Sequence, residues 1–144
     1  MIQNKYKFYV VFEHGKSWWR FFLKPGFGHI TLLCHDDFNW ASINPGQDIL
    51  ALNILPFSAQ ETTIQDLIEK NTYLKDTTIL EVHITVGNKP FIFPSIKFVT
   101  CTAIIKYLIG VKGWSFTPWQ LYKYLTSQKK RDINFETIII QERK

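Results

Sequence analysis

The sequence predicts an α+β protein: an antiparallel sheet of five to six strands packed against a cysteine-bearing helix and one or two further helices. Three observations carry this expectation. Short β-branched and aromatic segments recur over residues 6–57, 77–86 and 133–141. Turn chemistry separates them, as in Asn44-Pro45-Gly46 and Gly87-Asn88-Lys89-Pro90. Three stretches instead carry helical spacing with cap residues: Thr63 onward, Thr100 to Gly110, and Thr117 onward.

Taken in order, Tyr6 to Phe12 reads as a strand that ends at His14-Gly15-Lys16. Ser17 can cap a short aromatic segment from Trp18 to Leu23, whose adjacent tryptophans point to different sides of any regular element. Lys24-Pro25-Gly26-Phe27-Gly28 is a turn leading into a strand from His29 to Cys34. His35-Asp36-Asp37 turns the chain, Phe38 to Ile43 returns, and Asp48 to Phe57 adds a third strand, so residues 28–56 form an antiparallel meander. Thr63 and Asp66 have capping-box spacing, and Ile64, Leu67, Ile68 and Leu74 make the apolar stripe of the helix that follows. Thr77 to Val86 alternates so that Leu80, Val82, Ile84 and Val86 share a face. Residues 91–99 are apolar and extended around Pro94-Ser95. Thr117-Pro118-Trp119-Gln120 places an N-cap, a proline and a capping-box glutamine in sequence, opening a helix to about Gln128. Ile133 to Gln141 is the last strand.

With 144 residues, 46% of them hydrophobic, the chain fits a single domain over 1–144 with a sizeable core. There is no repeat or linker, and no apolar run of the ~18 residues that a membrane helix needs. The N-terminus lacks a signal-peptide pattern, so the expectation is a cytoplasmic protein that does not engage membrane. Two cysteines, Cys34 and Cys101, are too few for a disulfide framework or a cysteine-rich zinc site. No metal or other cofactor is expected. The net charge of +5 is spread along the chain apart from Lys129-Lys130-Arg131, which reads as a solvated helix end; nucleic acid is therefore a poor candidate partner.

The chemistry centres on Cys101. It opens the segment Thr100 to Gly110, in which Ile104, Ile105 and Leu108 recur at helical spacing and Gly110 stands at the C-cap. A thiol in a first helical turn faces the positive end of the helix dipole, which favours thiolate. A thiolate nucleophile needs a base, and the base needs an orienting group. His14 and His35 fall in turns and His83 on the polar face of its strand, where solvated histidines are ordinary. His29 begins an otherwise apolar strand and is the candidate base. With Asp36-Asp37 as a two-residue loop, His35 faces Phe38 and His29 faces Asn44, which can orient the ring; Ser42 is the fallback. Ordinary structural roles stay open for each: a buried inert thiol for Cys101, a satisfied core histidine for His29 and turn chemistry for Asn44. Cys34 ends an apolar strand and reads as structural.

A histidine on a strand, a polar residue on the next strand, then a cysteine at a helix start resembles the circularly permuted branch of the NlpC-like, papain-fold cysteine hydrolases. The resemblance is carried by Lys24-Pro25-Gly26-Phe27-Gly28-His29, by Cys101 to Gly110, and by Phe116-Thr117-Pro118-Trp119-Gln120-Leu121-Tyr122, and spans roughly residues 17–125. It implies a permuted papain-like fold of the small phage or prophage type, with Cys101 as nucleophile, His29 as general base and Asn44 as orienter. The implied reaction is hydrolysis of an amide in a peptide, a peptidoglycan-like substrate or a protein. The Cys101 N–H would donate to the oxyanion, with Trp119 and Gln120 as candidates for the second donor. Gly28 stands where the family tends to show an arginine or another larger residue, and Asn44 where an acidic residue is also common. The alternative is a non-enzymatic phage structural or interaction protein that keeps a degenerate copy of the fold. Expected partners are the peptide-like substrate and other virion proteins, in the host cytoplasm or on the virion.

Overall fold

The computed structural model describes residues 5–15, 22–46, 49–85, 100–111, 115–127 and 135–143. Six strands and four helices lie among them: β1 (Lys5–Glu13), β2 (His29–His35), β3 (Asn39–Pro45), β4 (Leu50–Ser58), α1 (Ile64–Lys70), α2 (Thr72–Lys75), β5 (Thr78–Thr85), α3 (Cys101–Leu108), α4 (Pro118–Ser127) and β6 (Phe135–Gln141). The strands form one antiparallel sheet in the order β4-β3-β2-β1-β5-β6. The chain is thus α+β, with the expected meander at one end and β1 in the middle. None of the described helices is long and apolar enough to cross a membrane.

Because side chains alternate along a strand, β1 feeds two cores. Val10 and Phe12 join Ile30, Leu32, Leu80, Val82 and Ile84 beneath α3 and α4, which contribute Ile105, Ile109, Leu121 and Leu125. Tyr9 and Val11 join Leu33, Trp40 and Ile79 beneath α1 and α2, which contribute Ile64, Leu67, Ile68 and Leu74. The Trp40 indole N–H donates to the Thr62 carbonyl at 2.8 Å and ties β3 to the segment entering α1. Lys106 Nζ donates to the Ser115 carbonyl at 3.3 Å, joining α3 to the approach of α4.

The cap chemistry expected from the sequence is present. Thr63 Oγ1 accepts from Asp66 N at 3.2 Å, and Asp66 Oδ2 accepts from Thr63 N at 2.7 Å. Gln120 Oε1 accepts from the N–H groups of Phe116 and Thr117, while Thr117 Oγ1 accepts from Gln120 N. At the end of α3, Gly110 at φ +70° donates to Tyr107 O, and Val111 N donates to Lys106 O. That pair of bonds is a Schellman closure, and the buried Val111 supplies its apolar contact.

Two expectations need correction. The hairpin between β2 and β3 has a loop of four residues between its last paired positions, His35 and Trp40, and not Asp36-Asp37 alone. Asp36 N donates to Asn39 O, and the Asp36 carboxylate accepts from the N–H groups of Phe38 and Asn39 at 2.7 and 2.6 Å. This Asx-type cage draws Phe38 and Asn39 into the turn, so His35 faces Trp40, not Phe38, and Leu32 faces Ile43. The apolar stripe after Thr63 also belongs to two helices. Asn71 ends α1 in extended geometry, and its side chain caps a new turn by accepting from Tyr73 N, so Leu74 sits in α2. The tryptophan pair at 18–19, the apolar run over 91–99 and the basic run at 129–131 lie outside the described residues.

Ile105 is fully buried between α3 and the sheet. Truncating Ile105→Ala is expected to lower unfolding free energy by about 2–5 kcal/mol, read as a drop in denaturant midpoint with an unchanged slope.

Candidate functional site

Three segments converge at one end of the sheet. His29 is the first residue of β2, Cys101 the first of α3, and Asn44 the penultimate residue of β3. The Asn44 amide is a hydrogen-bond partner of the His29 imidazole, and the Cys101 side chain lies near enough to the ring to raise its pKa. The thiol and the ring meet where both elements begin, so the contact lies at the end of the sheet.

What holds His29 there is the turn before it. Phe27 N donates to Lys24 O at 2.9 Å, with Pro25 at the second position and Gly26 at φ +84°, the signature of a type II turn. Gly26 N also donates to His14 Nδ1 at 3.2 Å. Phe27 then plugs the core against Phe12, Trp119 and Tyr122, with ring centroids 5.5, 4.8 and 5.0 Å away. Gly28 N donates to Glu13 O at 2.8 Å. A Cβ on Gly28 would stand 2.2 Å from Gly15 N, so no larger residue fits before the histidine. This explains the departure noted at position 28: the close approach of two backbones requires glycine on both.

The four-residue loop changes how Asn44 reaches His29. Continued by one residue, the β2–β3 register sets Asn44 across from Thr31, diagonal to His29 and not opposite it. A slip of two residues preserves the face, and diagonal neighbours remain within reach of longer side chains. The contact accordingly forms: His29 Nε2 lies 2.7 Å from Asn44 Oδ1. A carbonyl oxygen only accepts, so Nε2 carries a proton. Ser42 pairs with Leu33 and Asn53 and has no part in the contact.

One residue at this site was missed in the sequence. Glu13 ends β1 directly opposite His29. Its side chain is 4% exposed, and Oε1 lies 3.8 Å from His29 Nε2. The same oxygen accepts from the Thr31 hydroxyl at 2.8 Å. Its signal was its phase: Glu13 continues the Tyr9, Val11 series, which faces a core.

Electrostatics favour the charged ring. Burial opposes the imidazolium, but the neighbouring Cys101, the Asn44 hydrogen bond and the Glu13 carboxylate together outweigh it, pushing His29 up to about 9. At Cys34, which is half-buried, burial and then Asp36 push the thiol up. Cys101 also has the open end of α3. Thr100 Oγ1 takes the Ala103 N–H at 3.1 Å and Thr100 O takes that of Ile104, leaving the N–H groups of the first two positions without helical partners.

The other candidates serve structure. Trp119 stacks on Tyr122 at 5.3 Å with Lys24 Nζ 4.6 Å above its ring, and Gln120 is engaged in the cap of α4. Trp119 and Tyr122 line an open groove of about 480 Å³ with Lys24, Phe27 and Arg143, and His29, Asn44 and Cys101 are not among its lining residues. His14 accepts from Gly26 N, His35 bonds the Asp36 carbonyl, and His83 pairs with Glu81. No group of three or more metal-ligating side chains occurs among the described residues.

His29 has a folded pKa above its ordinary 6.5, so its contribution to stability is complete below pH 6.5 and is lost as pH rises through about 9. Denaturation across that window should show the wild-type protein losing stability relative to His29→Gln, with the gap unchanged below it.

No protein-family model matches this sequence, and neither do the curated proteins or the solved structures compared with it.

Proposed function

We propose that this chain is a cysteine hydrolase with a permuted papain-like arrangement, in which Cys101 is the nucleophile, His29 the general acid–base and Asn44 the orienting residue. The observation that carries the reading is a single imidazole that is hydrogen-bonded by the amide on β3 at 2.7 Å and electrostatically coupled to the thiol at the start of α3. Nucleophile, base and orienter in contact are the working parts of covalent acyl transfer. The order His29, Asn44, Cys101 along the chain is that of the permuted papain-like proteins it resembles. The substrate class is an amide of a peptide or peptidoglycan-like peptide, and the setting is phage or prophage biology in the host cytoplasm or with the virion.

The chemistry follows from the contacts. With Nε2–H committed to Asn44, Nδ1 is the nitrogen left for the thiol. The Cys101 sulfur attacks the carbonyl carbon, a C–S bond forms, and the carbonyl electron pair moves to oxygen. The Cys101 N–H at the end of α3 donates to that oxyanion. The tetrahedral intermediate collapses, the C–N bond breaks, and the leaving nitrogen takes the proton from His29. Water then gives its proton to His29 and its hydroxide to the thioester carbonyl, releasing the acid and the thiolate. His29 is charged at neutral pH, so it enters the cycle as the acid, and activity should fall as pH rises through about 9.

Iodoacetamide labelling and acetyl transfer from p-nitrophenyl acetate, both located by mass spectrometry, test this directly. Acetylation should occur on Cys101 and not on Cys34. Cys101→Ala should lower turnover by at least ~10³-fold, His29→Gln by about 10²–10⁴-fold and Asn44→Ala by roughly 10–10²-fold. Equal labelling rates of Cys101 in wild-type and His29→Gln protein at every pH would sink the assignment.

One feature favours the non-enzymatic reading. Edge strand β4 presents Leu50, Leu52 and Ile54 at 49, 64 and 66% exposure, and residues 49–59 carry no charge. Uncharged apolar edges are interaction surfaces. Under this reading Leu52→Lys abolishes co-purification with virion components while Cys101→Ala leaves it intact. Loss of association with Cys101→Ala alone counts against it.

A further inference from the structure

The geometry points to Glu13 as a positioning residue: its buried carboxylate places a negative charge 3.8 Å from His29 Nε2, behind Asn44, and so favours the imidazolium. The inference rests on the reading of His29 as the acid–base residue, but its electrostatic content is independent of catalysis.

Three observations support it. The β1–β2 register places Glu13 directly opposite His29 at the last rung of the pair. The carboxylate is almost fully removed from solvent, where a charge at 3.8 Å is weakly screened. Thr31, next on the same face of β2, donates its hydroxyl to Oε1 at 2.8 Å and so fixes the oxygen that faces the ring. Asn44 and Glu13 thus divide the work at one nitrogen. Asn44, at 2.7 Å, sets the direction of the ring. Glu13 supplies the charge that a neutral amide lacks.

The groups that face the ring are Glu13 from β1, Cys101 from α3, and the neutral Asn44 from β3. Removing the thiol therefore leaves Glu13 as the charged group among these three. In a Cys101→Ala background, His29 is followed by NMR titration of its labelled imidazole. Adding Glu13→Gln should lower the midpoint by about one pH unit, the effect of an opposite charge at this range. Thr31→Val keeps the charge but frees the carboxylate, and should shift the midpoint in the same direction by less. It also serves if Glu13→Gln fails to fold. A midpoint unchanged in the folded variants overturns the proposal.

In the wild-type background, the alkaline limb of Cys101 alkylation should move down with the His29 midpoint in Glu13→Gln. Should the midpoint move while alkylation stays indifferent to His29, Glu13 keeps its electrostatic role and the hydrolase reading fails. Asn44→Ala combined with Glu13→Gln should depart from the product of the single effects, because both groups act on the same ring nitrogen.

Discussion

The antiparallel pairing of β1 with β2 is the constraint on which the candidate site depends. It runs from Phe8 opposite Cys34 to Glu13 opposite His29, and it closes only because Gly15 and Gly28 let two backbones touch just beyond the last rung. That closure has two consequences. It seats Phe27 in the core, anchoring the turn that delivers His29. It also brings an acidic side chain from the middle strand beside the imidazole. A side chain at either glycine would separate the strand ends and loosen His29 with them.

The site is electrostatically one-sided. A buried carboxylate, the Cys101 side chain and an amide carbonyl all face one imidazole, and together they overcome its burial. Burying a lone carboxylate in this position would be costly; placed beside an imidazolium and a hydroxyl donor, it has partners. The arrangement is that of a ring kept charged and ready to donate. The aromatic groove, lined by Lys24, Pro25, Phe27 and Arg143, includes none of His29, Asn44 and Cys101 and touches the site through the 24–28 turn.

Much of the fold was legible because its signals are local. Thr63 with Asp66, Thr117 with Gln120, and Gly110 after Leu108 each specify a cap through atoms a few residues apart, and all three caps form. The alternation of β5 likewise marked Leu80, Val82 and Ile84 as one buried face. The errors were also local in origin but needed geometry to resolve. Asp36 can turn a chain in two residues or in four, and only the hydrogen bonds to Phe38 and Asn39 decide which. Asn71 could continue a helix or cap a new one, and its side chain chose the second.

The His29–Asn44 pairing was expected from a hairpin register that was wrong by two residues. The contact forms because strand periodicity is two: an even slip changes the partner but keeps the face, and a diagonal asparagine still reaches. Sequence alone determined the helix that carries the thiol, the strand that carries the histidine and the turn between β1 and β2, since each follows from neighbouring residues. Only the tertiary structure decided that these elements end at the same place, that Gly28 must be glycine, and that Glu13, far from His29 along the chain, stands beside it. Those facts depend on which strands pair and where the pairing stops, a competition among long-range contacts that a linear pattern does not encode.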